Sequence, residues 1–224
     1  MKIKKKRSKK EILRGKDEFV SAIDRFINFI LKNKKIAIYV VLIILFLNCI
    51  VYAYFSYRKN KFVEASILES KAIKALNENK KDEAKDFLKK ILSSYKNTPA
   101  YEKALFLIAN LYFDAGEYKK ACKYYKLFLK KHKKNDFCKL LAKLNLAKSY
   151  EADKKYDEAA KLYEKLKEEK NFNFIMYEAK FHLAKLYKKN RRLSEAKKIY
   201  EEIVDKAPNS IWGKFSKLEL EKIK

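Results

Sequence analysis

Residues 117–128 read EYKKACKYYKLF, and related segments occur at 80–88 (KKDEAKDFL), 155–166 (KYDEAAKLYEKL) and 192–203 (RLSEAKKIYEEI). The alanines at the centre of the four segments lie 37, 38 and 37 residues apart, and a second alanine stands twelve residues before each of them. This register predicts a repeated structural unit. The alanine pairs are Ala72 and Ala84, Ala109 and Ala121, Ala147 and Ala159, and Ala184 and Ala196.

Each unit is predicted to be a pair of antiparallel helices. Alanine is small enough to stand where two helices approach most closely, and aromatic residues recur beside it, as Tyr125, Tyr163 and Tyr200 do. One pair cannot bury its apolar face alone, so the pairs are expected to stack into a solenoid. Gly116 and Thr98-Pro99 mark turns and helix starts. Ser210 introduces a last helix that carries Trp212, Phe215, Leu218 and Ile223.

An uncharged segment, IAIYVVLIILFLNCIVYAYF at 36–55, precedes the repeats. Twenty helical residues rise about 30 Å, the thickness of a bilayer core. A cleaved signal peptide and a buried core helix are the alternatives. The tyrosines at the end of the segment favour a membrane span, because aromatic residues concentrate at membrane interfaces.

The flanks of this segment predict its orientation. Residues 1–35 hold 13 basic and 4 acidic side chains, and residues 56–224 hold 42 and 24. A short polybasic tail resists translocation, whereas long domains cross largely regardless of charge. We therefore expect a basic cytoplasmic tail at 1–16 and an extracytoplasmic domain at 62–224. Residues 17–31, DEFVSAIDRFINFIL, have the periodicity of an amphipathic helix on the inner leaflet, or of a lead-in to the span.

The repeats resemble the tetratricopeptide repeat (TPR) family. One unit carries Leu105, Ile108, Ala109, Tyr112, Gly116, Ala121, Tyr125 and Phe128, and Pro208 ends another. The units are longer than the usual 34 residues, with repeats placed at 65–98, 102–135, 140–173 and 177–210 and a cap at 211–224. Such units are similar to those of BamD-type and CpoB-type envelope proteins. The predicted fold is all-α: one transmembrane helix, a TPR α-solenoid and a C-terminal capping helix.

The order of parts resembles the YfgM-like ancillary subunits of the SecYEG translocon. This resemblance implies a single-pass protein of the bacterial inner membrane whose repeats meet translocon subunits, exported chains or envelope chaperones. We expect a membrane-anchored adaptor with a chaperone-like role. The alternative is a structural organiser of an envelope assembly or division complex that binds no client.

A partner-binding groove is expected on the first helix of each pair, opposite the second helix. Aromatic rings would supply apolar contact area, and asparagines would bond an extended peptide backbone. The alternative is that several of these side chains belong to the core between repeats. The candidates are Phe106, Asn110, Phe113, Leu144, Asn145, Lys148, Phe181, Lys185 and Lys188.

TPR domains that hold acidic chaperone tails use a clamp of lysine, two asparagines, lysine and arginine. Asn110 and Asn145 stand at the asparagine positions, but Phe106, Glu178 and His182 occupy the other three. Because most of the positive charge is missing, that ligand is not expected.

No catalytic chemistry is predicted. With three glycines, the chain lacks a glycine-rich phosphate loop, and its two histidines have no metal-ligand spacing. No cofactor, metal, small-molecule substrate or nucleic acid is expected as a partner, and Cys122 and Cys138 are expected to be free thiols. Residues 56–224, with 42 basic and 24 acidic side chains, carry a net charge of +18, which should attract acidic surfaces or anionic envelope polymers.

Overall fold

The computed structural model describes the backbone of residues 9–169 and 171–223, and side chains within that part from residue 20 onward, except residue 37. The described residues form helices and turns without strands, which confirms the predicted all-α fold. The helices are α1 (Lys9–Lys32), α2 (Lys34–Asn77), α3 (Lys81–Ser94), α4 (Pro99–Asp114), α5 (Tyr118–Lys131), α6 (Phe137–Ala152), α7 (Tyr156–Leu166), α8 (Asn173–Lys189), α9 (Leu193–Lys206) and α10 (Ile211–Glu221).

The chain divides into two compact units, Met1–Lys59 and Asn60–Lys224. In the first unit, α1 extends further toward the N-terminus than the predicted amphipathic segment. It ends in a turn at Asn33, whose side chain donates a 3.0 Å hydrogen bond to the Phe29 carbonyl. Val20, Ile23, Phe26 and Ile27 are exposed on α1. Residues 1–8 of the predicted basic tail lie outside the described part of the chain.

The uncharged segment lies within α2. Its described large apolar side chains are exposed, among them Leu45, which is 57% exposed, and Phe46, which is 65% exposed. Asn48 bonds the Ile44 carbonyl of its own helix at 2.8 Å. Among the described residues, α2 is the one helix long and apolar enough to cross a membrane.

In the second unit, the end of α2 shares the buried core with α3, and three helix pairs follow: α4 with α5, α6 with α7, and α8 with α9. All eight register alanines are 0% exposed, as expected for small residues placed between packed helices. The tyrosines Tyr125, Tyr163 and Tyr200 fill the space beside them and are at most 1% exposed. The last three pairs begin at Pro99, Phe137 and Asn173, each three or four residues before the predicted repeat start.

The turn inside each pair has the same backbone geometry. Asn79, Gly116, Lys154 and Arg191 all stand five residues before a second-helix alanine and have φ values between 58° and 74°. In each turn, the next N–H bonds a carbonyl five residues back, as Glu117 does to Tyr112 at 2.8 Å. This left-handed geometry is the usual helix C-terminal motif, in which glycine is favoured. Three of the four turns form it without glycine.

The helix starts between units differ from one another. Ser210 caps α10 as predicted, because its Oγ accepts a 2.9 Å hydrogen bond from the Gly213 N–H. Thr98 stands at the N-cap of α4, but its hydroxyl donates to the Tyr95 carbonyl at 2.8 Å instead of accepting from α4. A Cβ on Gly213 would lie 2.1 Å from the Ala207 carbonyl oxygen. Glycine therefore allows α10 to close onto the end of α9.

Candidate functional site: the inner groove

The first helices line the inner side of the stack. Among the described residues, α4 contacts α6, α6 contacts α8, and α8 contacts α10, whereas successive second helices make no comparable contact. The stack must therefore be tighter on the side of the first helices. An open groove of about 460 Å³ lies on this side, and we call it the inner groove. Its lining residues are Phe113, Lys148, Glu151, Ala152, Tyr156, His182, Lys185, Leu186 and Lys189.

Three of the nine predicted residues, Phe113, Lys148 and Lys185, line the inner groove. They come from three different first helices, α4, α6 and α8. The Phe113 ring is half-buried and packs edge-on against Tyr118 at 5.5 Å between ring centroids. Lys185 is exposed. Aromatic and cationic side chains thus meet along one surface.

Leu144 and Phe181 belong to the core between repeats. Leu144 is 1% exposed and Phe181 is 9% exposed, so neither offers side-chain area to a ligand in this conformation. The Phe181 ring packs against Trp212 of α10 at 5.3 Å between ring centroids. These two side chains are buried because neighbouring helices cover them. Within a single helix pair the same positions would face solvent.

Asn110 and Asn145 bond to each other and to the second helix. The Asn145 side-chain amide donates to Asn110 Oδ1 at 3.4 Å, and the same oxygen accepts a hydrogen bond from the buried Tyr125 hydroxyl. Burial raises the pKa of Tyr125. Phe106 packs against Tyr125 and Phe128 at ring distances of 6.0 and 5.4 Å. The asparagine pair therefore joins the first helices α4 and α6, while Asn110 and Phe106 join α4 to its second helix α5.

Glu151 is the central charged group of the inner groove. Its Oε2 accepts hydrogen bonds from Tyr163 Oη and from His182 Nδ1, both at 2.9 Å, and Lys185 Nζ lies 3.7 Å from Oε1. Burial acts to raise the pKa of Glu151, but His182, Tyr163 and Lys185 together lower it below its usual value. Burial and the Glu151 charge raise the pKa of Tyr163. The carboxylate is thus held ionised in the groove wall.

The other predicted lysines are also paired. Lys148 Nζ lies 2.9 Å from Glu178, whose side chain is 6% exposed, and Lys188 Nζ lies 2.8 Å from Glu219 of α10. The first ion pair joins the first helices α6 and α8, and the second joins α8 to the capping helix α10. Two of the three residues that depart from the chaperone-tail clamp, Glu178 and His182, therefore serve contacts between repeats.

The sequence interpretation missed Glu151, although its signal was present. Phe113 and Lys188 stand four residues after a first-helix alanine, and the same spacing from Ala147 gives Glu151. Tyr156 and Lys189 were missed because their position in the groove depends on how neighbouring repeats pack. In the structure the Lys189 ammonium lies 3.8 Å from the centre of the Tyr156 ring. The described residues contain no cluster of three metal-ligating side chains. Cys122 is a buried free thiol whose pKa is raised by burial.

Stacked helix pairs with an open inner groove define an α-solenoid of the kind that binds other proteins. Residues 28–224 match the tetratricopeptide repeat-like domain family, and the chain belongs to this family. Its repeats are therefore those of a protein–protein interaction adaptor.

Solved structures with this fold come from several sources. A tetratricopeptide repeat protein from Parabacteroides merdae ATCC 43184 aligns with a TM-score of 0.60 at 19% identity, over 71% of this chain and 59% of that one. The TPR-like repeats of a putative kinesin light chain from Podosopora anserina align with a TM-score of 0.54 at 17% identity, over 71% and 85%. MamA from Desulfovibrio magneticus RS-1 aligns with a TM-score of 0.53 at 16% identity, over 71% and 92%. No curated protein matches the sequence significantly.

Proposed function

We propose that this protein is a single-pass membrane adaptor whose repeat domain binds segments of partner proteins in the inner groove. The observation that carries the proposal is the convergence of Phe113, Lys148 and Lys185 from three helices on one open groove. An aromatic ring beside polar groups in an open groove suits an extended protein segment, because the ring supplies desolvation and the polar groups can hydrogen-bond the chain.

Two observations support the membrane anchor. The 36–55 segment is uncharged and its described large apolar side chains are exposed, which is the surface expected of a helix in lipid. The family match begins at residue 28, so it includes this segment together with the repeats. We propose that the basic N-terminal tail stays in the cytoplasm of a bacterial cell and that the repeats lie outside the inner membrane.

The exposed apolar residues of α1 support a further membrane contact. Val20, Ile23, Phe26 and Ile27 follow helical spacing and are at least 40% exposed. An amphipathic helix next to a polybasic tail suits the surface of an anionic inner leaflet. In this arrangement α1 lies on the membrane and fixes the start of the span.

Exported chains and translocon subunits are the partners we propose. A repeat domain outside the inner membrane would meet chains as they leave the translocon, and an open groove can hold segments of varied sequence. One observation favours a structural organiser instead. The carboxylates of Glu151, Glu178 and Glu219 are already paired within the repeats, which leaves fewer polar groups free to bind a client.

Photocrosslinking in living cells tests the proposal. A photoreactive residue at Phe113 is expected to capture exported chains and translocon subunits, while the same residue at Lys161, exposed on a second helix, captures few. Fixed envelope partners alone at Phe113 would favour the structural organiser. Equal capture at both positions would overturn the groove assignment.

Protease treatment of spheroplasts tests the orientation separately. We expect the repeat domain to be digested in intact spheroplasts, because it lies outside the membrane. Digestion only after lysis would place it in the cytoplasm and would contradict both candidate functions.

A further inference from the structure

A second groove of about 520 Å³ lies on the other side of the second repeat, and we call it the outer lysine groove. It runs along α5 and reaches the turn between α6 and α7. Contact is absent between the described residues of α5 and α7, so α6 forms the floor between them. The lining residues are Lys119, Cys122, Lys123, Lys126, Leu127, Lys130, Tyr150 and Lys155.

Four of the five lysines form a row on one face of α5. Lys119, Lys123, Lys126 and Lys130 are spaced by four, three and four residues, which places them one above another on a helix. From the first to the last, the row rises about 16 Å. All four are exposed.

This row is specific to the second repeat. Relative to Ala121, the second-helix alanine of this repeat, the four lysines stand two positions before it and two, five and nine positions after it. The same positions carry acidic residues in every other repeat, so the row does not follow from the basic composition alone. The equivalents are Asp82, Asp86, Lys89 and Ser93 in α3, Asp157, Lys161 and Glu164 in α7 with Glu168 in the turn after it, and Ser194, Lys198, Glu201 and Asp205 in α9.

The positive charge of the row is largely uncompensated. Lys119, Lys123 and Lys130 form no ion pair with any residue that the structure describes. Lys126 lies over the Tyr150 ring at 5.2 Å. The carboxylate of Asp153 is 2.6 Å from Lys155, so it neutralises that lysine and leaves the α5 row free. Neighbouring like charges raise the local potential and attract an anion.

We propose that the outer lysine groove binds an extended acidic segment of a partner protein. This site goes beyond the inner groove and does not depend on it. The row matches about five residues of extended chain, at roughly 3.3 Å each. Lysines act as mobile point charges and can follow carboxylates of uneven spacing, and the row lacks the arginine forks that bind phosphate in bidentate fashion. Leu127 and Tyr150 add apolar contact area for the hydrocarbon parts of the peptide.

Fluorescence anisotropy on the full chain in neutral detergent tests this proposal. The probe is a labelled ten-residue peptide of alternating glutamate and serine, with glutamine in place of glutamate as the neutral control. We expect the acidic peptide alone to bind, and its affinity to fall as salt rises.

Two double variants separate the groove from the general charge of the chain. Lys123→Gln with Lys130→Gln should weaken acidic-peptide binding about tenfold. Lys161→Gln with Lys198→Gln removes the same charge from the register position of Lys123 in α7 and α9, and should change it by less than about twofold. Lys123→Arg with Lys130→Arg should retain binding, and circular dichroism should show the same helix content in every variant.

Several outcomes would overturn the proposal. Equal weakening by the two double variants would mean that the peptide is attracted only by net charge. Binding of polyphosphate or anionic vesicles through Lys123 and Lys130, without peptide binding, would assign the groove to phosphate. Loss of peptide binding in Lys185→Gln would place the peptide in the inner groove, so the result also distinguishes this site from the proposed client groove.

Discussion

The inner groove and the outer lysine groove are built from the same kinds of side chains but use their charges differently. In the inner groove, Lys148 lies 2.9 Å and Lys185 3.7 Å from a carboxylate, and Lys189 lies over the Tyr156 ring. In the outer lysine groove, Lys123 and Lys130 have no carboxylate partner among the described residues. The inner charges therefore hold repeats together, whereas the outer charges remain available to a ligand.

This contrast predicts which surface is sensitive to mutation. A buried charge that loses its partner leaves a desolvated group behind, and removal of one member of a buried network is costly. An exposed lysine without a partner loses little when it is replaced. Stability should therefore depend on the inner groove, and electrostatic binding should depend on the outer one.

The largest expected effect is that of Glu151→Ala. This substitution removes the acceptor of the Tyr163 hydroxyl, which is 0% exposed, and the partner of His182. We expect a loss of about 2–3 kcal/mol in the free energy of unfolding, measured by urea denaturation of the full chain in detergent. The control is Glu201→Ala, which removes an exposed partner of Lys197 and should cost less than about 0.5 kcal/mol. Equal losses in both variants would contradict a structural network in the inner groove.

A smaller effect is expected from pH. The pKa of Glu151 is lowered in the fold, so its carboxylate stabilises the protein above its unfolded pKa near 4.5, and this contribution is lost as pH falls through the folded pKa. Glu151→Gln lacks the contribution at every pH. The gap in urea midpoint between wild type and Glu151→Gln should therefore be widest at pH 6 and close as pH falls below 4.5. A gap that does not change with pH would mean that the charge of Glu151 contributes nothing.

The third prediction concerns Lys154, in the turn between α6 and α7. Two substitutions there distinguish the cost of its backbone conformation from the cost of its charge. Lys154 has φ 62° and occupies the register position of Gly116. Because a left-handed conformation is costly for a residue with a Cβ, Lys154→Gly should raise the free energy of unfolding, measured by urea denaturation, by about 0.5–1 kcal/mol. Lys154→Gln removes the same charge but keeps the Cβ, and should leave stability almost unchanged. If both substitutions stabilise equally, repulsion among lysines is the cause instead of the backbone.

The repeat architecture could be predicted from sequence because it rests on local spacing. The alanine register and the ring positions Tyr125, Tyr163 and Tyr200 are determined within each unit, and the structure confirms their burial. The turn at Lys154 was not predicted, because the motif is imposed by the two helices around it and glycine is absent there.

The groove could be predicted only in part. The spacing places Leu144 and Phe181 on the first helices, but their burial depends on the next repeat, which lies far along the chain. The pairing of Lys148 with Glu178 likewise depends on contacts thirty residues apart. The outer lysine groove was missed for another reason. Its lysines stand out only when the same position is compared across all four units.

The smallest expected effect on stability is that of Lys123→Gln with Lys130→Gln. Both lysines are exposed and neither pairs with a described carboxylate, so their removal breaks no ion pair among the described residues. It also relieves repulsion along α5, so we expect a change within about 0.5 kcal/mol, with a slight gain at low salt that disappears as screening increases. Urea denaturation at two salt concentrations measures this change. A clear loss of stability would show that the outer lysines, like the inner ones, hold the repeats together, and the contrast between the two surfaces would then fail.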